Sequence, residues 1–404
     1  MCWLLLQLRY EKTIFVPITL TTMRRYSILG LMIAAFAIAG CVKVDHGCDM
    51  DGFTGTEVKI GDDNGATTPG LKLLVLNEGA WPGNSTLDIL DIYHKKYFTD
   101  IFAQANPDIA QGLGNGGNDI EIAGKHIWLA MNASNELVGL NPYTYKMEVE
   151  IDLESPRCLV ADGDYLYVSS YGSAIYGGPL LAGKVYKIDL KDYSFAFVSV
   201  GYQPEGMVIL DGKLYVANSG GYNEKKDNRI DVIDLKSFNV EKVLELPVSN
   251  LNMMRKVHDE IWVSTYATYD ASFAITAPSS LAVVDKNGNA TVINGVHADK
   301  ITESDGWIYA IGNDKEMTYG SDYCLYKVNS TSKVASTIHF NDEPALKNIN
   351  YPYCILVNPF NSDIMIADAS FTGDSKLYCY TSGLNLKWTL TTGVGTGHLL
   401  LYQL

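Results

Sequence analysis

A short apolar strand recurs seven times along this chain, and that repeat limits the possible folds more than any other feature. The copies read LLVLN (73–77), IWLAM (127–131), LYVSS (166–170), LYVAN (214–218), IWVST (261–265), IYAIG (308–312) and IMIAD (364–368). Their second positions are Leu74, Trp128, Tyr167, Tyr215, Trp262, Tyr309 and Met365, separated by 39 to 56 residues. No helix pattern intervenes. A period of this length, built of short strands, is the signature of propeller blades: each blade is a small sheet that buries its faces only against its neighbours.

Each copy is followed by another strand pattern: TLDILD (86–91), ELVGLN (136–141), KVYKIDL (184–190), RIDVIDL (229–235), LAVVDK (281–286), CLYKVN (324–329) and KLYCY (376–380). An outer strand often comes next, as in VEKVLEL (240–246), and an inner strand such as GMVIL (206–210) precedes copies two to seven. Nothing suitable precedes LLVLN, but HLLLY (398–402) stands unmatched at the far end. The expected fold is therefore all-β, a seven-bladed β-propeller over residues 71–404, closed by pairing the C-terminal strand into the first blade. Closure removes the open sheet edges on which chains aggregate.

The amino terminus bears on compartment. Residues 23–41, MRRYSILGLMIAAFAIAGC, carry two arginines, an apolar run and Ile38-Ala39-Gly40 before Cys41. That order is a secretory signal. A cysteine directly after the small residues makes it a lipoprotein signal, with Cys41 as the lipidated first residue of the mature chain. The alternative, a transmembrane anchor, needs roughly 20 apolar residues, more than the run over 28–40 provides. Met23 reads as a better start than Met1, and residues 1–41 are assigned to the signal. Residues 42–70, rich in Gly, Asp and Thr, read as a flexible linker. Asp49 and Asp51 before Gly52 lack the remaining ligands of a calcium loop.

The chain carries a net charge of −15. The signal is basic, with Arg9, Lys12, Arg24 and Arg25 against Glu11, so the mature chain is more acidic still. This excludes nucleic acid, which demands a basic stripe, and electrostatic adhesion to anionic lipid. Past Cys41, the cysteines Cys48, Cys158, Cys324, Cys354 and Cys379 form neither a disulfide framework nor a zinc pattern. The last four lie in strands and are expected to be buried thiols.

One face of a propeller gathers the loops that leave each repeated strand and those that enter each inner strand. Here the leaving loops include EGAWPGNS (78–85), SYGSAIYGG (170–178), SGGYNEKKD (219–227), TYATYDASF (265–273), NDKEMTYGSD (313–322) and SFTGDS (370–375), and the entering loops GYQPE (201–205) and NYPY (350–353). Turn formation accounts for their glycines. It does not account for Trp81, Tyr171, Tyr176, Tyr202, Tyr222, Tyr266, Tyr269, Tyr319 and Phe371 on one face. Such rings offer flat apolar area with a polar tip, which suits ligand capture. At the channel mouth, Asn118, Arg157, Glu205, Asn252 and Asp299 occupy equivalent positions ahead of the inner strands, and His398 begins the closing one. A polar collar is expected there. Glu205, Asp299 and His398 could alternatively hold a catalytic metal, but two Asn and an Arg dilute the acids, and the expectation is no metal and no catalysis. No GxSxG, HExxH or P-loop is present. Gly112, Gly114, Gly116 and Gly117 lack the strand-to-helix context of a dinucleotide loop.

The opening LKLLVLNEGAWPGNSTLDILD, the QPEGMVILDGKLYVANSG blade and the closing TGHLLLYQL resemble the YncE-like propeller lipoproteins of Bacteroidetes, relatives of the surface-exposed cobalamin-binding lipoproteins that cap an outer-membrane vitamin B12 transporter. The resemblance covers residues 71–404 and the lipoprotein signal. It implies a seven-bladed propeller on the outer face of the outer membrane that captures a corrinoid for a TonB-dependent transporter, with cobalamin as ligand rather than cofactor. Capture of a glycan or a protein suits the same rim.

Overall fold

A computed structural model of the chain describes residues 50–60, 68–80, 83–270, 272, 274–313 and 322–403. Cys41, Trp81 and Tyr319 lie outside them. Among the described residues, seven antiparallel blade sheets follow one another in sequence, with a further two-stranded ribbon, Thr268–Tyr269 with Ile275–Ala277, in a loop of blade five; the chain is a seven-bladed β-propeller. The inner strands are Gly117–Ala123, Pro156–Asp162, Pro204–Leu210, Leu251–Val257, Lys300–Ser304, Pro352–Val357 and Thr396–Gln403, belonging to blades two to seven and then one. The strand Thr396–Gln403 runs antiparallel to Leu71–Asn77, pairing Gln403 with Leu71 and His398 with Leu76. The expected closure is therefore what joins the ends of the ring.

Burial explains the repeat. The second strand of each blade is packed on both faces by neighbouring blades, so it reads as an unbroken apolar run rather than an alternation. Leu71–Asn77 and His126–Met131 are buried at every position. Trp128, Tyr167, Trp262, Tyr309 and Met365 fill the wedges between blades and are almost wholly buried, while Tyr215 is half-buried. Outer strands face water, as in Asn239–Glu245. Near the axis the inner strands crowd together: a Cβ on Gly206 would stand 2.8 Å from the Asn252 carbonyl oxygen and the Met254 amide of the next blade. Only glycine fits there.

Part of the expected linker is built into the fold. Thr56–Glu57 adds a fifth strand to blade one by pairing with Tyr97 and Lys96. Ile60 is buried, and Met50 and Phe53 pack against the core of blades one and two. Three apolar residues at suitable positions outweigh a polar average. Two of the cysteines also differ from expectation. Cys324 and Cys379 are buried, but Cys158 and Cys354 are half-buried and line the central cavity.

Candidate functional site

Six of the seven inner strands share an irregularity at the end where they enter the ring; Lys300–Ser304 pairs without one. The pairing slips between Gly117 and Asp119, Pro156 and Leu159, Pro204 and Met207, Leu251 and Met254, Pro352 and Cys354, and Thr396 and His398. A bulge takes a residue out of the ladder and re-aims its side chain. The residues so released include Asn118, Arg157, Glu205, Asn252 and Tyr353, so the bulges build most of the collar, while Asp299 and His398 reach it without one.

These side chains surround a central cavity of about 260 Å³. Asn118, Arg157, Glu205, Asn252 and His398 line it, and Asp299 adjoins it through Asn252, whose Nδ2 donates to the Asp299 carbonyl and carboxylate oxygens at 2.9 and 3.1 Å. Arg157 donates from Nε and Nη2 to one Glu205 oxygen at 3.1 and 2.9 Å, and Tyr171 donates its hydroxyl to the other. Arg157 also bonds Asn118 and lies 4.7 Å from the Tyr171 ring centre. Five more lining groups were not singled out in the sequence: Glu78, Asp119, Arg255, Lys300 and Tyr353. Lys300 pairs with Asp299 at 3.3 Å and stands over the rings of Tyr353 and Tyr266 at 4.7 and 5.5 Å.

His398 lies between two acids, 3.8 Å from Glu78 through Nε2 and 3.8 Å from Asp119 through Nδ1. Burial, then the charges of Lys300, Arg157 and Arg255, push the imidazole down to about 3, so it is neutral at any physiological pH. Burial pushes the Asp119 carboxyl up to about 6 and raises Glu78 as well. The trio Glu205, Asp299 and His398 is not assembled as a metal site. The two acids are held by Arg157 and Lys300, and among the described residues no group of three or more His, Cys, Asp or Glu could hold a metal ion.

Above the collar a cleft of about 490 Å³ opens between the loops of blades three, four and five. It brings together Tyr171, Tyr176, Tyr222, Tyr266 and Tyr269, and it shares Arg157, Glu205 and Tyr266 with the central cavity. Tyr171 and Tyr176 meet the Tyr222 ring edge-on at 5.1 and 5.9 Å. Tyr171 is buried beneath, whereas Tyr176 is 79% exposed. The floor of the loop is fixed by Lys226, which donates to the carbonyls of Gly221 and Asn223 at 2.9 and 2.8 Å. Phe371 sits apart, on blade seven, edge-on to Tyr351 and Tyr353. Tyr202 lines neither cavity; its ring lies 5.2 Å from the Arg229 guanidinium. Gly112, Gly114 and Gly116 adopt positive φ in the connection to blade two, which enters a strand and not a helix.

No family model matches the chain, and no curated protein matches it in sequence. Solved structures do. A candidate 6-phosphogluconolactonase from Bacteroides uniformis superposes with a TM-score of 0.57 at 9% identity, covering 82% of this chain and 99% of that one. Hydrazine synthase of Kuenenia stuttgartiensis gives 0.53 at 15%, over 71% and 95%. Apo AztD of Citrobacter koseri gives 0.51 at 10%, over 82% and 98%. What the lactonase-like structure and AztD share with this chain is the seven-bladed propeller. At such identities the likeness extends to the fold and no further.

Proposed function

We propose that this chain is a lipid-anchored surface protein whose tyrosine-lined cleft captures cobalamin or a related corrinoid for an outer-membrane, TonB-dependent transporter. The observation that carries the reading is the gathering of Tyr171, Tyr176, Tyr222, Tyr266 and Tyr269 in one cleft, open above a polar collar. A corrinoid is a broad disc fringed with amides, and it requires ring faces together with hydrogen-bonding groups. The resemblance of the NEG-x-W opening and the terminal Gly-His supplies the choice of corrinoid.

Calorimetric titration of the full chain with cyanocobalamin tests it. Truncating an aromatic anchor at a binding site commonly costs at least about 2 kcal/mol, or some thirtyfold in affinity. Tyr222→Ala and Tyr266→Ala should each show a loss of that order. Tyr193 stands on the opposite face, but its ring packs 5.9 Å from that of Trp128, so its removal would disturb the core. Tyr143, 54% exposed in an outer turn of blade two, is the better control and should leave affinity unchanged. No corrinoid uptake by the folded chain would leave glycan or protein capture.

Anchoring is tested separately. Cys41→Ser should release the protein from the membrane fraction, because stable retention takes more than one acyl chain. Unchanged fractionation would mean that Cys41 carries no lipid.

The central cavity favours a second reading, hydrolysis of a small anionic ester or lactone. Asp119, its carboxyl pushed up to about 6 beside the neutral His398 and three cations, could move protons. Turnover of 6-phosphogluconolactone that Asp119→Asn abolishes would put this reading in place of capture.

A further inference from the structure

We propose that the central cavity is a binding site for a small oxyanion, a phosphate or a carboxylate, seated on the Arg255 guanidinium with Lys300 and Arg157 beside it. This site depends on neither corrinoid capture nor lactone hydrolysis. Arg255 stands on the wall of the cavity, between Met254 and Lys256 on the inner strand of blade five, and the acids nearest it in charge are Asp119 and Glu303. The other two cations of the cavity have carboxylate partners, Glu205 for Arg157 and Asp299 for Lys300. Arg255 has none within ion-pair distance among the described residues. Its one hydrogen bond runs from Nη1 to the carbonyl of its own neighbour, Met254, at 2.7 Å. A guanidinium carries five N–H donors in a rigid fork that matches an oxyanion two at a time. Four of those donors are unmatched among the described residues, in a cavity whose depth strengthens any charge pairing they make.

Three acids line the cavity: Glu205 is paired with Arg157, and the other two, Glu78 and Asp119, sit where burial favours their neutral form. Glu78 faces Tyr353, Lys300 and Arg157. Asp119 faces Arg157 and Cys158 on blade three, Arg255 on blade five, Cys354 on blade seven and His398 on blade one, with Glu121 on its own strand. With its carboxyl pushed up to about 6, Asp119 is neutral below that pH and charged above it. An anion on Arg255 favours the protonated acid, so by linkage anion and proton enter together. Affinity therefore rises as pH falls through about 6.

The test is calorimetric titration of the full chain at constant ionic strength with sulfate, a phosphate mimic of constant charge, and with formate, each at pH 5 and pH 8. Binding at least about tenfold tighter at pH 5 is expected, one proton being worth up to tenfold per pH unit. Arg255→Gln should lose at least about tenfold, and Lys300→Gln should weaken binding in the same direction. Asp119→Asn should bind at pH 8 as the parent does at pH 5. Uptake of sulfate alone assigns the phosphate class, and uptake of formate alone the carboxylate class. No uptake at either pH, equal affinity at both, or binding that Arg255→Gln leaves intact overturns the proposal. Should Arg255→Gln fail to fold by circular dichroism, Lys300→Gln and the pH dependence of the parent decide.

Discussion

Deletion of residues 397–404 should yield a chain that fails to fold to a soluble state, or one whose Tm falls by about 10 °C or more. The strand Leu71–Asn77 is buried at every position and has two partners, Thr86–Asp91 on one side and Thr396–Gln403 on the other. Removing the second leaves a row of unpaired backbone groups beside Leu73, Leu74 and Leu76, which are completely buried in the intact ring. The Tyr402 hydroxyl also bonds that of Tyr145 at 2.9 Å, tying blade one to blade two. Thr396 survives the cut, but its hydroxyl bonds to Asn77 and Thr392 assume a chain that continues. The summed loss exceeds about 5 kcal/mol, the lower edge of a domain's whole stability. For a domain of this size each kcal/mol moves Tm by roughly 2 °C. Melting followed by circular dichroism is the check. A truncated chain melting within about 2 °C of the parent would mean that ring closure contributes nothing to stability.

The blades and their closure were legible because they arise from local patterning. A strand packed on both faces must be continuously apolar, and seven such runs at blade spacing admit few other folds. HLLLY could be paired with LLVLN because every other repeated strand already had an inner neighbour. The collar was legible by position, since Asn118, Arg157, Glu205 and Asn252 stand at one distance before the repeated strand. What turns them inward, a slip in pairing register, is a property of the hydrogen-bond ladder and has no signature in composition. Ring direction was equally hidden. Membership of the correct loop places Tyr202 on the correct face, yet Arg229 holds its ring to one side. Arg255 had a visible signal, a charge directly after LNMM (251–254) in a strand pattern, and Lys300 stands next to Asp299 in the chain. Only the structure shows that both line the axis.

Arg157→Met should destabilise the fold by about 3–5 kcal/mol, the usual consequence of stranding a buried charge. The Glu205 side chain is 3% exposed and takes two of its hydrogen bonds from Arg157. Methionine replaces the length of the arginine side chain but not its donors, so one Glu205 oxygen loses both N–H partners while Tyr171 continues to serve the other. Asn118 loses its Arg157 contact in the same step. The cost comes from the carboxylate left behind and not from the ion pair itself, and this distinction can be measured. Glu205→Gln in the Arg157→Met background removes the stranded charge and keeps an acceptor for Tyr171, so the double variant should recover most of the loss. Urea denaturation of the parent, both single variants and the double closes the cycle. A coupling below about 1 kcal/mol, or an Arg157→Met chain as stable as the parent, would show that water reaches Glu205 and that the collar is held by its backbone bulges alone.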